Sequence, residues 1–431
     1  MVDLAFPKEL IGLQSMVRSL AQHKLRPIAR YYDEHEHEIP WKLIIEAHRM
    51  LKAMGGLRGK EAEKSGAASV AGTRGASDGM NSFYAAVLAE EMTWGDAGLA
   101  VCLPGPQVGG AAVQAAGTPE QKRRLLGRFP GDKPTWGAFA LTEPGCGSDN
   151  SAIRTTARRD GDFWVLNGEK IFCTSGNLAL DHSNGFVVVW ATLDPELGRA
   201  GIKPFIVEAG TPGCRISKIE KKMGLRASPT CSLTLDECRI PLENLLGGAA
   251  TAGAAISDRK PSGEFPEEPK TTGFKGVMAT FDLTRPLVAA FALGVARAAL
   301  DFTRDLLKQH GIQVRYGASG SNLTALERDF QQMEVQLHAA RLLAWRAAWM
   351  GDRKVPNALE AAMAKVKAGA SVSFVTQKCA EIGGWHGLSY KHMLEKWFRD
   401  AKVNDIYEGT GQVNTLIIAR RILGYTREQL K

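Results

Sequence analysis

The sequence predicts a mainly α-helical protein with a β-domain inserted between two helical domains. The first and last parts of the chain repeat apolar residues at three- and four-residue steps, which is the spacing of one face of a helix. The middle part instead holds short runs rich in β-branched and aromatic residues, which favour strands. We therefore expect an N-terminal helical domain (1–134), a middle antiparallel β-barrel or sheet domain (135–246), a linker or insertion (247–277) and a C-terminal four-helix bundle (278–431).

Three helices are predicted in the N-terminal domain. The first has one apolar stripe, formed by Leu10, Leu13, Met16, Val17 and Leu20. The second covers 41–54 and is predicted to end at Gly55-Gly56, because glycine readily forms a helix C-cap. The third covers 81–94. The stretch 60–79 is rich in Gly, Ala and Ser and predicts a loop.

Short β-rich runs define the middle domain. The predicted strands cover 163–166, 170–173, 186–192, 204–207 and 232–235. Asn167-Gly168 separates the first two, and this dipeptide is typical of a tight hairpin turn. The stretch 247–277 is first Gly/Ala-rich and then Pro- and charge-rich, so it predicts a linker or a surface insertion.

Long helices return after this linker. Residues 287–307 are apolar on a broad face, and Thr324 with Glu327 has the spacing of a capping box that opens another helix. Residues 358–382 predict a further helix, which Gly383-Gly384 is expected to end. Several long helices in succession indicate a bundle.

Composition excludes several classes of protein. With 44% hydrophobic and 23% charged residues, the chain is typical of globular proteins and unlike disordered or fibrous ones. The net charge of +8 comes from 54 basic and 46 acidic residues that are interspersed, so no nucleic-acid module is expected. An anionic small substrate suits this surplus equally well.

Membrane and metal functions are also not expected. No uncharged run approaches the roughly 20 residues that a bilayer-spanning helix needs, and we see no signal peptide or anchor. The seven cysteines are scattered without a C-x-x-C pair, which argues against a disulfide scaffold and a zinc site and favours a reducing compartment.

Three segments carry residues suited to chemistry. Residues 139–149 form a Pro/Gly-rich loop with hydroxyls, 168–176 place Phe172 and Thr174 on one side of a strand, and 399–412 present a carboxylate before Gly-Thr-Gly. Taken singly, each segment also fits a plain structural role: a turn between domains, a half-buried strand, or a solvated acidic loop.

Together the segments resemble the acyl-CoA dehydrogenase family, flavoproteins that desaturate acyl-CoA thioesters between the α and β carbons. The family motif L-T-E-P-x-x-G-S-D matches 141–149, G-E-K-x-aromatic-x-T matches 168–174, and I-Y-E-G-T matches 406–410. A fourth segment, 281–286, is similar to the substrate-contacting start of the first long C-terminal helix in the family. The resemblance implies the same three-domain architecture that the periodicity predicts.

The resemblance implies FAD as cofactor, with Phe172 packing on the flavin ring and Thr174 donating to flavin N5. The implied cofactor-binding residues are Phe139, Leu141, Thr142, Gly147, Ser148, Phe172, Cys173, Thr174, Arg315, Gly383, Gly384, Thr410 and Gln412. The implied substrate-binding residues are Ser148, Asp282, Arg285, Tyr407, Glu408 and Gly409.

Glu408 is the implied catalytic base. The α-hydrogen of a thioester is weakly acidic, so a desolvated carboxylate has to remove it while aimed donors polarise the carbonyl group. The β-hydrogen then leaves as hydride to flavin N5 and gives the trans-2-enoyl-CoA. Some relatives carry the base just before the substrate arginine, but here that residue is Thr284, which cannot serve. Asp405 is a nearby carboxylate outside the motif.

Two positions depart from the family pattern. In relatives an arginine near the end of the first long helix and a glutamine before x-x-Gly-Gly reach the FAD of a neighbouring subunit. Here Arg315 is out of frame and Ala380 replaces the glutamine. We expect a homo-oligomer, a dimer or tetramer; the alternative is a subunit that shares FAD with a second family member.

Three functions remain open from the sequence. The first is an acyl-CoA dehydrogenase that passes electrons to an electron-transferring flavoprotein. The second is a flavin oxidase or monooxygenase-like relative, and the third is a non-catalytic binding subunit. The expected location is the bacterial cytoplasm or, as a mature eukaryotic chain, the mitochondrial matrix. The sequence leaves the acyl group of the substrate open.

Overall fold

The computed structural model describes residues 6–57, 79–248, 274–426 and 429. Helices at both ends of the chain enclose a curled β-sheet domain, so the predicted mainly α fold with an inserted β-domain is confirmed. One apolar core fills the C-terminal helices, a second fills the sheet domain, and a third lies where sheet and helices meet.

The N-terminal domain contains the three predicted helices and several shorter ones. Its helices are α1 (Lys8–Leu20), α2 (Ala29–Glu34), α3 (Trp41–Leu57), α4 (Asn81–Gly95), α5 (Ala97–Cys102), α6 (Gln107–Ala116) and α7 (Pro119–Leu126). The predicted stop at Gly55-Gly56 is wrong, since α3 continues through both glycines. Glycine inside a helix costs only about 1 kcal/mol relative to alanine, which the rest of the helix can outweigh. Of the predicted loop 60–79, all but Gly79 lies outside the described residues.

Seven strands form the sheet of the middle domain. They are β1 (Gly137–Ala140), β2 (Thr156–Asp160), β3 (Phe163–Thr174), β4 (Phe186–Thr192), β5 (Ile202–Glu208), β6 (Cys214–Ile219) and β7 (Thr230–Pro241), with the short helix α8 (Gly176–Leu180) after β3. The strand order is β1-β4-β2-β3-β7-β6, and β5 pairs with β4. The prediction of an antiparallel sheet is only partly correct, because β4 pairs in parallel with β1 and β2. The sequence runs did not predict β1, β2 or β6.

The predicted hairpin at Asn167-Gly168 is wrong. Strand β3 runs straight through this dipeptide, and the turn lies earlier, at Gly161 between β2 and β3. Asn167 sits in a β-bulge and exchanges two hydrogen bonds with Glu237 of β7, at 2.7 and 2.8 Å. A Cβ on Gly168 would lie 2.6 Å from Thr155 Oγ1, so this glycine serves close packing.

The C-terminal domain is a bundle of long helices. It contains α9 (Phe274–Gln309), α10 (Ala325–Asp352), α11 (Ala358–Gly383) and α14 (Gly411–Leu423), with the shorter α12 (Trp385–Leu388) and α13 (Leu394–Ala401) between the last two. The capping box of Thr324 and Glu327 and the end of α11 at Gly384 are both confirmed. Helix α9 begins at Phe274, four residues before the predicted boundary at 278, while 249–273 of the predicted linker lie outside the described residues.

Helix α9 is the central helix of the fold and packs against α4, α10 and α11. A Cβ on Gly294 would lie 2.4 Å from the Glu90 carbonyl oxygen, so this glycine allows α9 to approach α4 closely. The stretch Thr280–Gln309 is long and apolar enough to cross a membrane, but 83% of its most apolar window is buried inside the protein. Its composition is therefore that of a core helix.

A buried charge cluster joins all three domains. Lys396 of α13 donates to Asp96 Oδ2 at 2.5 Å and to Asp400 Oδ2 at 2.6 Å. Asp96 also caps α5 of the N-terminal domain, and Asp400 accepts from the Leu225 amide of the middle domain at 2.7 Å. Burial disfavours the ammonium group, but Asp400 and Asp96 outweigh it and raise the pKa of Lys396 above its usual value.

Replacing Lys396 with Met should lower the free energy of unfolding by about 3–5 kcal/mol, because two buried carboxylates lose their counter-ion. The deficit should grow from about pH 5 to about pH 8, since protonation of the carboxyls relieves the mutant at lower pH. Urea unfolding at both pH values measures the effect. Lys391→Met, which removes an exposed lysine, is the control, and an equal loss in both variants would contradict the assignment.

Candidate active site

A tight loop follows β1 and carries the first motif. The amide of Glu143 donates to the Cys146 carbonyl and the Cys146 amide donates back, which closes a turn across 143–146. The Ile171 amide of β3 donates to the Thr142 carbonyl at 2.9 Å. Gly147 and Ser148 are exposed and Thr142 is half-buried, so the outer side of the loop presents hydroxyls and backbone to solvent.

A buried ion pair fixes this loop to β3. Lys170 Nζ lies 2.7 Å from Glu143 Oε1 and 3.1 Å from the Leu141 carbonyl oxygen. The Glu143 carboxylate also accepts from the amides of Arg154 and Thr155. Burial opposes ionisation of Glu143, but Lys170 and these donors hold the pKa of its carboxyl below the usual value.

Strand β3 presents an exposed aromatic ring close to this ion pair. Phe172 is 59% exposed and has a left-handed backbone with φ of 56°, at a bulge between Lys170 and Cys173. Cys173 is buried in the sheet core, whereas Thr174 is half-buried. A bulky residue in left-handed backbone is strained, and such strain marks candidate functional positions.

The loop 406–410 carries Glu408, and its backbone is also strained. Glu408 has φ of 53° and Gly409 has φ of 95°. Arg285 Nε donates to the Glu408 carbonyl at 3.3 Å, and Asn414 Nδ2 donates to the Gly409 carbonyl at 2.8 Å. These bonds to α9 and α14 hold the carbonyl groups of the loop in a conformation that would otherwise cost about 1–3 kcal/mol at Glu408.

The Glu408 carboxylate lies beside the start of α9. Thr284 Oγ1 donates to Glu408 Oε2 at 2.6 Å. Burial raises the pKa of the Glu408 carboxyl, while Thr284, Arg285 and Lys365 act in the opposite direction. The net effect is that the pKa of Glu408 lies above that of a solvated glutamate. A raised carboxyl pKa is typical of a general base.

Aromatic contacts connect the sheet with this carboxylate. The Phe139 ring of β1 lies 6.0 Å from the Phe281 ring of α9, and the Arg285 guanidinium lies 5.4 Å from the same Phe281 ring. Asp282 pairs with Arg285 at 3.5 Å. Arg285 of α9 therefore contacts the loop of Glu408, Asp282 pairs with Arg285, and β1 packs through Phe139 against the preceding turn of the same helix.

The residues around Glu408 are anchored individually. The Tyr407 hydroxyl donates to Asn404 Oδ1 at 2.8 Å. Thr410 Oγ1 accepts from the Val413 amide and thereby caps α14, while Gln412 on the first turn is exposed. Among these predicted residues, Tyr407, Gly409 and Thr410 lie within the strained loop itself.

Three predicted cofactor residues lie elsewhere. From Arg285 to the end of α9 the helix axis is roughly 36 Å long at 1.5 Å per residue, and Arg315 comes after that end. Arg315 forms an ion pair with Glu327, with its Nε 2.6 Å from Glu327 Oε1. Gly383 and Gly384 end α11, at the same end of the bundle as His310, whose ring lies 6.4 Å from that of His386 in α12. The cofactor-binding role of these residues stays a prediction.

Sequence reasoning missed two functional candidates and left one pair without a role. Lys365 and Asn414 were not singled out, and Glu143 and Lys170 were quoted in motifs without an ion pair. Lys365 had a signal in the sequence: it lies among Ala361, Ala364 and Ala368, on what is the buried side of a helix. Among the described residues, no cluster of His, Cys, Asp or Glu could hold a metal ion.

Comparison with known proteins identifies the family of this chain. The acyl-CoA dehydrogenase N-terminal, middle and C-terminal domain models match residues 7–130, 138–238 and 271–423. The chain is 39% identical over 308 residues to the mitochondrial short-chain specific acyl-CoA dehydrogenase of Bos taurus, covering 71% of this chain and 67% of that protein. It is 33% identical over 424 residues to the acryloyl-CoA reductase (NADH) of Anaerotignum propionicum, covering 98% and 96%.

A solved structure agrees as well. The butyryl-CoA dehydrogenase of Megasphaera elsdenii superposes with a TM-score of 0.78 at 30% identity, covering 98% of this chain and all of that one. The fold and the order of the three domains therefore match over nearly the whole length of both chains. The chain belongs to the acyl-CoA dehydrogenase family, whose members are oxidoreductases that act on CH–CH groups.

Proposed function

We propose that this protein is an FAD-dependent dehydrogenase that converts an acyl-CoA thioester to its trans-2-enoyl-CoA, with Glu408 as the base. The observation that carries the proposal is the Glu408 carboxylate, which is half-buried, hydrogen-bonded to Thr284 and placed on a strained loop beside Arg285. A surface loop with no chemical role has no need of these features.

The residues of the sheet side fit a flavin. Phe172 offers an exposed ring face, and Thr142, Ser148 and Thr174 bring hydroxyl groups from the neighbouring loop and strand. An aromatic plane with hydroxyl and amide donors suits a flat heterocycle with polar edges. Family members are FAD-dependent flavoproteins. When bound, FAD supplies the hydride acceptor.

The protein's own residues prepare the substrate and the base. The backbone amide of Glu408 would be a donor to the thioester carbonyl, as the resemblance to the family implies. Arg285 is 3% exposed and keeps its guanidinium near both Asp282 and the Glu408 carbonyl, so it can orient an anionic or carbonyl group at the start of α9. Thr284 holds one carboxylate oxygen of Glu408, which directs the carboxylate before it takes the α-proton.

The relatives suggest the size of the acyl group. One is named a short-chain specific enzyme and another a butyryl-CoA dehydrogenase. We therefore propose a short straight acyl-CoA as the substrate, with butyryl-CoA as the first compound to test. A panel of longer and branched acyl-CoA esters, scored by bleaching of the flavin absorbance, then defines the range.

A second candidate function is the reverse reaction, reduction of a short 2-enoyl-CoA. It is favoured by the similarity to acryloyl-CoA reductase, which extends over 98% of this chain. The same residues serve both directions, because the group that removes the α-proton in one direction returns it in the other. Reduced flavin mixed with acryloyl-CoA or crotonyl-CoA tests this candidate directly.

We propose the assembly from the positions of the predicted cofactor residues, which lie at two separate places in the chain. Arg315, Gly383 and Gly384 lie at the far end of the bundle from Glu408, so they can serve a flavin near another chain's Phe172 across an interface. A homo-oligomer supplies such an interface, as does pairing with a second family member. Native mass spectrometry of the chain expressed alone separates the two assemblies: a homo-oligomer with full FAD excludes the pairing with a second family member.

The relatives include mitochondrial and bacterial enzymes, so both proposed locations stand.

Glu408→Gln should slow anaerobic bleaching of the flavin by butyryl-CoA by about 100- to 10,000-fold, because the variant has no base for the α-proton. FAD content should not change. Stopped-flow absorbance measures the rate. Asp405→Asn, which removes the neighbouring carboxylate, is the control and should bleach near the wild-type rate. Wild-type bleaching by Glu408→Gln would assign the base elsewhere.

Lys170→Met should lower both FAD retention and stability, because Glu143 loses its buried counter-ion and the loop 141–149 loses its attachment to β3. The expected loss in free energy of unfolding is about 3–5 kcal/mol. The flavin-to-protein absorbance ratio after gel filtration and urea unfolding measure the two effects. Lys218→Met, on an exposed position of β6, is the control. Full FAD retention in Lys170→Met would show that the loop does not depend on the ion pair.

The electron acceptor separates a dehydrogenase from an oxidase. We expect turnover with butyryl-CoA and an artificial dye or an electron-transferring flavoprotein, and little hydrogen peroxide in air. Peroxide formed in amounts equal to the enoyl-CoA product would assign the oxidase function instead. A protein that binds no FAD and does not react with any acyl-CoA would leave only the binding-subunit function.

A further inference from the structure

Lys365 is a buried lysine that makes no hydrogen bond within the described part of the chain. Its residue is 1% exposed, and its Nζ has no hydrogen-bond partner among the described residues. It lies on α11 among buried alanines and points toward the loop of Glu408, with Nζ 5.8 Å from the centroid of the Tyr407 ring. Burying an ammonium group without a direct partner is costly, so such a lysine calls for an explanation.

The packing of α11 explains how this lysine comes to lie beside the loop. Gly369 is one turn further along α11, on the same face as Lys365. A Cβ on Gly369 would lie 3.1 Å from the Asn404 carbonyl oxygen and 3.3 Å from Asp405 Oδ1. The glycine thus lets the segment before Glu408 approach the helix closely. Lys365, one turn earlier, therefore lies beside the Tyr407–Glu408 segment.

The groups that act on Glu408 come from α9 and α11. Arg285 on α9 and Lys365 on α11 favour its ionised form, and Thr284 on α9 donates to it. Asp405 and Glu408 both attract the Lys365 ammonium, while Arg285 repels it. Asp282 and Arg421 face Arg285. Burial, the largest influence on Lys365, lowers its pKa to about 8, so it still carries its charge at neutral pH.

Arg285 and Lys365 differ in how freely they can act on the carboxylate. Arg285 is engaged with Asp282 and with the Glu408 carbonyl, and its position at the start of α9 suits substrate. Lys365 makes no hydrogen bond among the described residues and lies behind the loop, in the protein interior. Its charge therefore remains available to Glu408.

We propose that Lys365 is a positioning residue for the reaction: buried behind the Tyr407–Glu408 segment, its ammonium group stabilises the negative charge of the Glu408 carboxylate. The inference rests on the proposed role of Glu408 as the base. Removal of the charge makes proton uptake by Glu408 easier, so the base is lost at a higher pH than in the wild-type protein. Above the pH at which Lys365 itself loses its proton, variant and wild type should converge.

The test compares Lys365→Met and Lys365→Gln with wild type in the flavin-loaded enzyme. In stopped flow with butyryl-CoA, the variants should bleach at least about tenfold more slowly at about pH 6 and near the wild-type rate at about pH 9, which is the behaviour of a shifted ionisation. Infrared difference titration measures Glu408 directly, through the carbonyl stretch of its protonated carboxyl, and Glu408→Gln assigns the band. In both variants that band should persist to higher pH.

Lys367→Met is the matched control, since Lys367 lies two residues further on the same helix and contacts Gln336 of α10. It should alter neither the pH profile nor the band. Should one Lys365 variant fail to fold, the other carries the test, because Gln keeps a polar end group and Met keeps most of the aliphatic stem, and neither carries a charge.

The outcomes separate this inference from the proposed function. An unchanged infrared titration in the folded Lys365 variants, or an equal loss of rate at every pH, overturns the inference and leaves Glu408 as the base. If Glu408→Gln keeps its turnover while the band moves in the Lys365 variants, the electrostatic coupling stands and the proposed mechanism falls.

Discussion

The buried cluster of Asp96, Lys396 and Asp400 is the interaction on which the rest of the structure depends. Each domain contributes to it: Asp96 begins α5, Asp400 lies on α13, and the Leu225 amide comes from the middle domain. The segment that follows α13 leads directly to Glu408. The cluster therefore joins the middle domain and α5 to α13 and to the start of that segment. Removal of one partner from an ion pair of 1% exposure costs more free energy than removal of one partner from a surface pair.

Both sides of the site combine strain with a buried charge. Phe172 and Glu408 have left-handed backbones, and each lies next to a lysine in the protein interior, Lys170 on one side and Lys365 on the other. Lys170 has a full carboxylate partner and makes its loop rigid. Lys365 has none within hydrogen-bonding distance among the described residues, so its effect is electrostatic. Folding has to offset both the strain of these backbones and the desolvation of the two lysines.

The sequence predicted the architecture well because helix and strand periods differ clearly. It predicted the strand 186–192, the cap at Thr324 and the end of α11 at Gly384 from local chemistry alone. It failed where tertiary contacts overrule local preference: Asn167-Gly168 is a turn signal, yet pairing with Glu237 and packing on Thr155 make it a bulge. The motif residues of the candidate site were predicted from the resemblance to the acyl-CoA dehydrogenase family. The partners of Glu408 on α9 and α11, distant in sequence, required the fold.

The length of α9 has a consequence for any assembly of this chain. The helix contacts Glu408 through Thr284 and Arg285, ends before the segment that carries Arg315, and is mostly buried between those points. In a two-fold pair in which each copy placed Arg315 against the other copy's sheet, one copy of α9 would link each reaction centre to the interface. The length of α9 would then set the distance between the two reaction centres. Loop substitutions that change substrate preference would leave that distance unchanged.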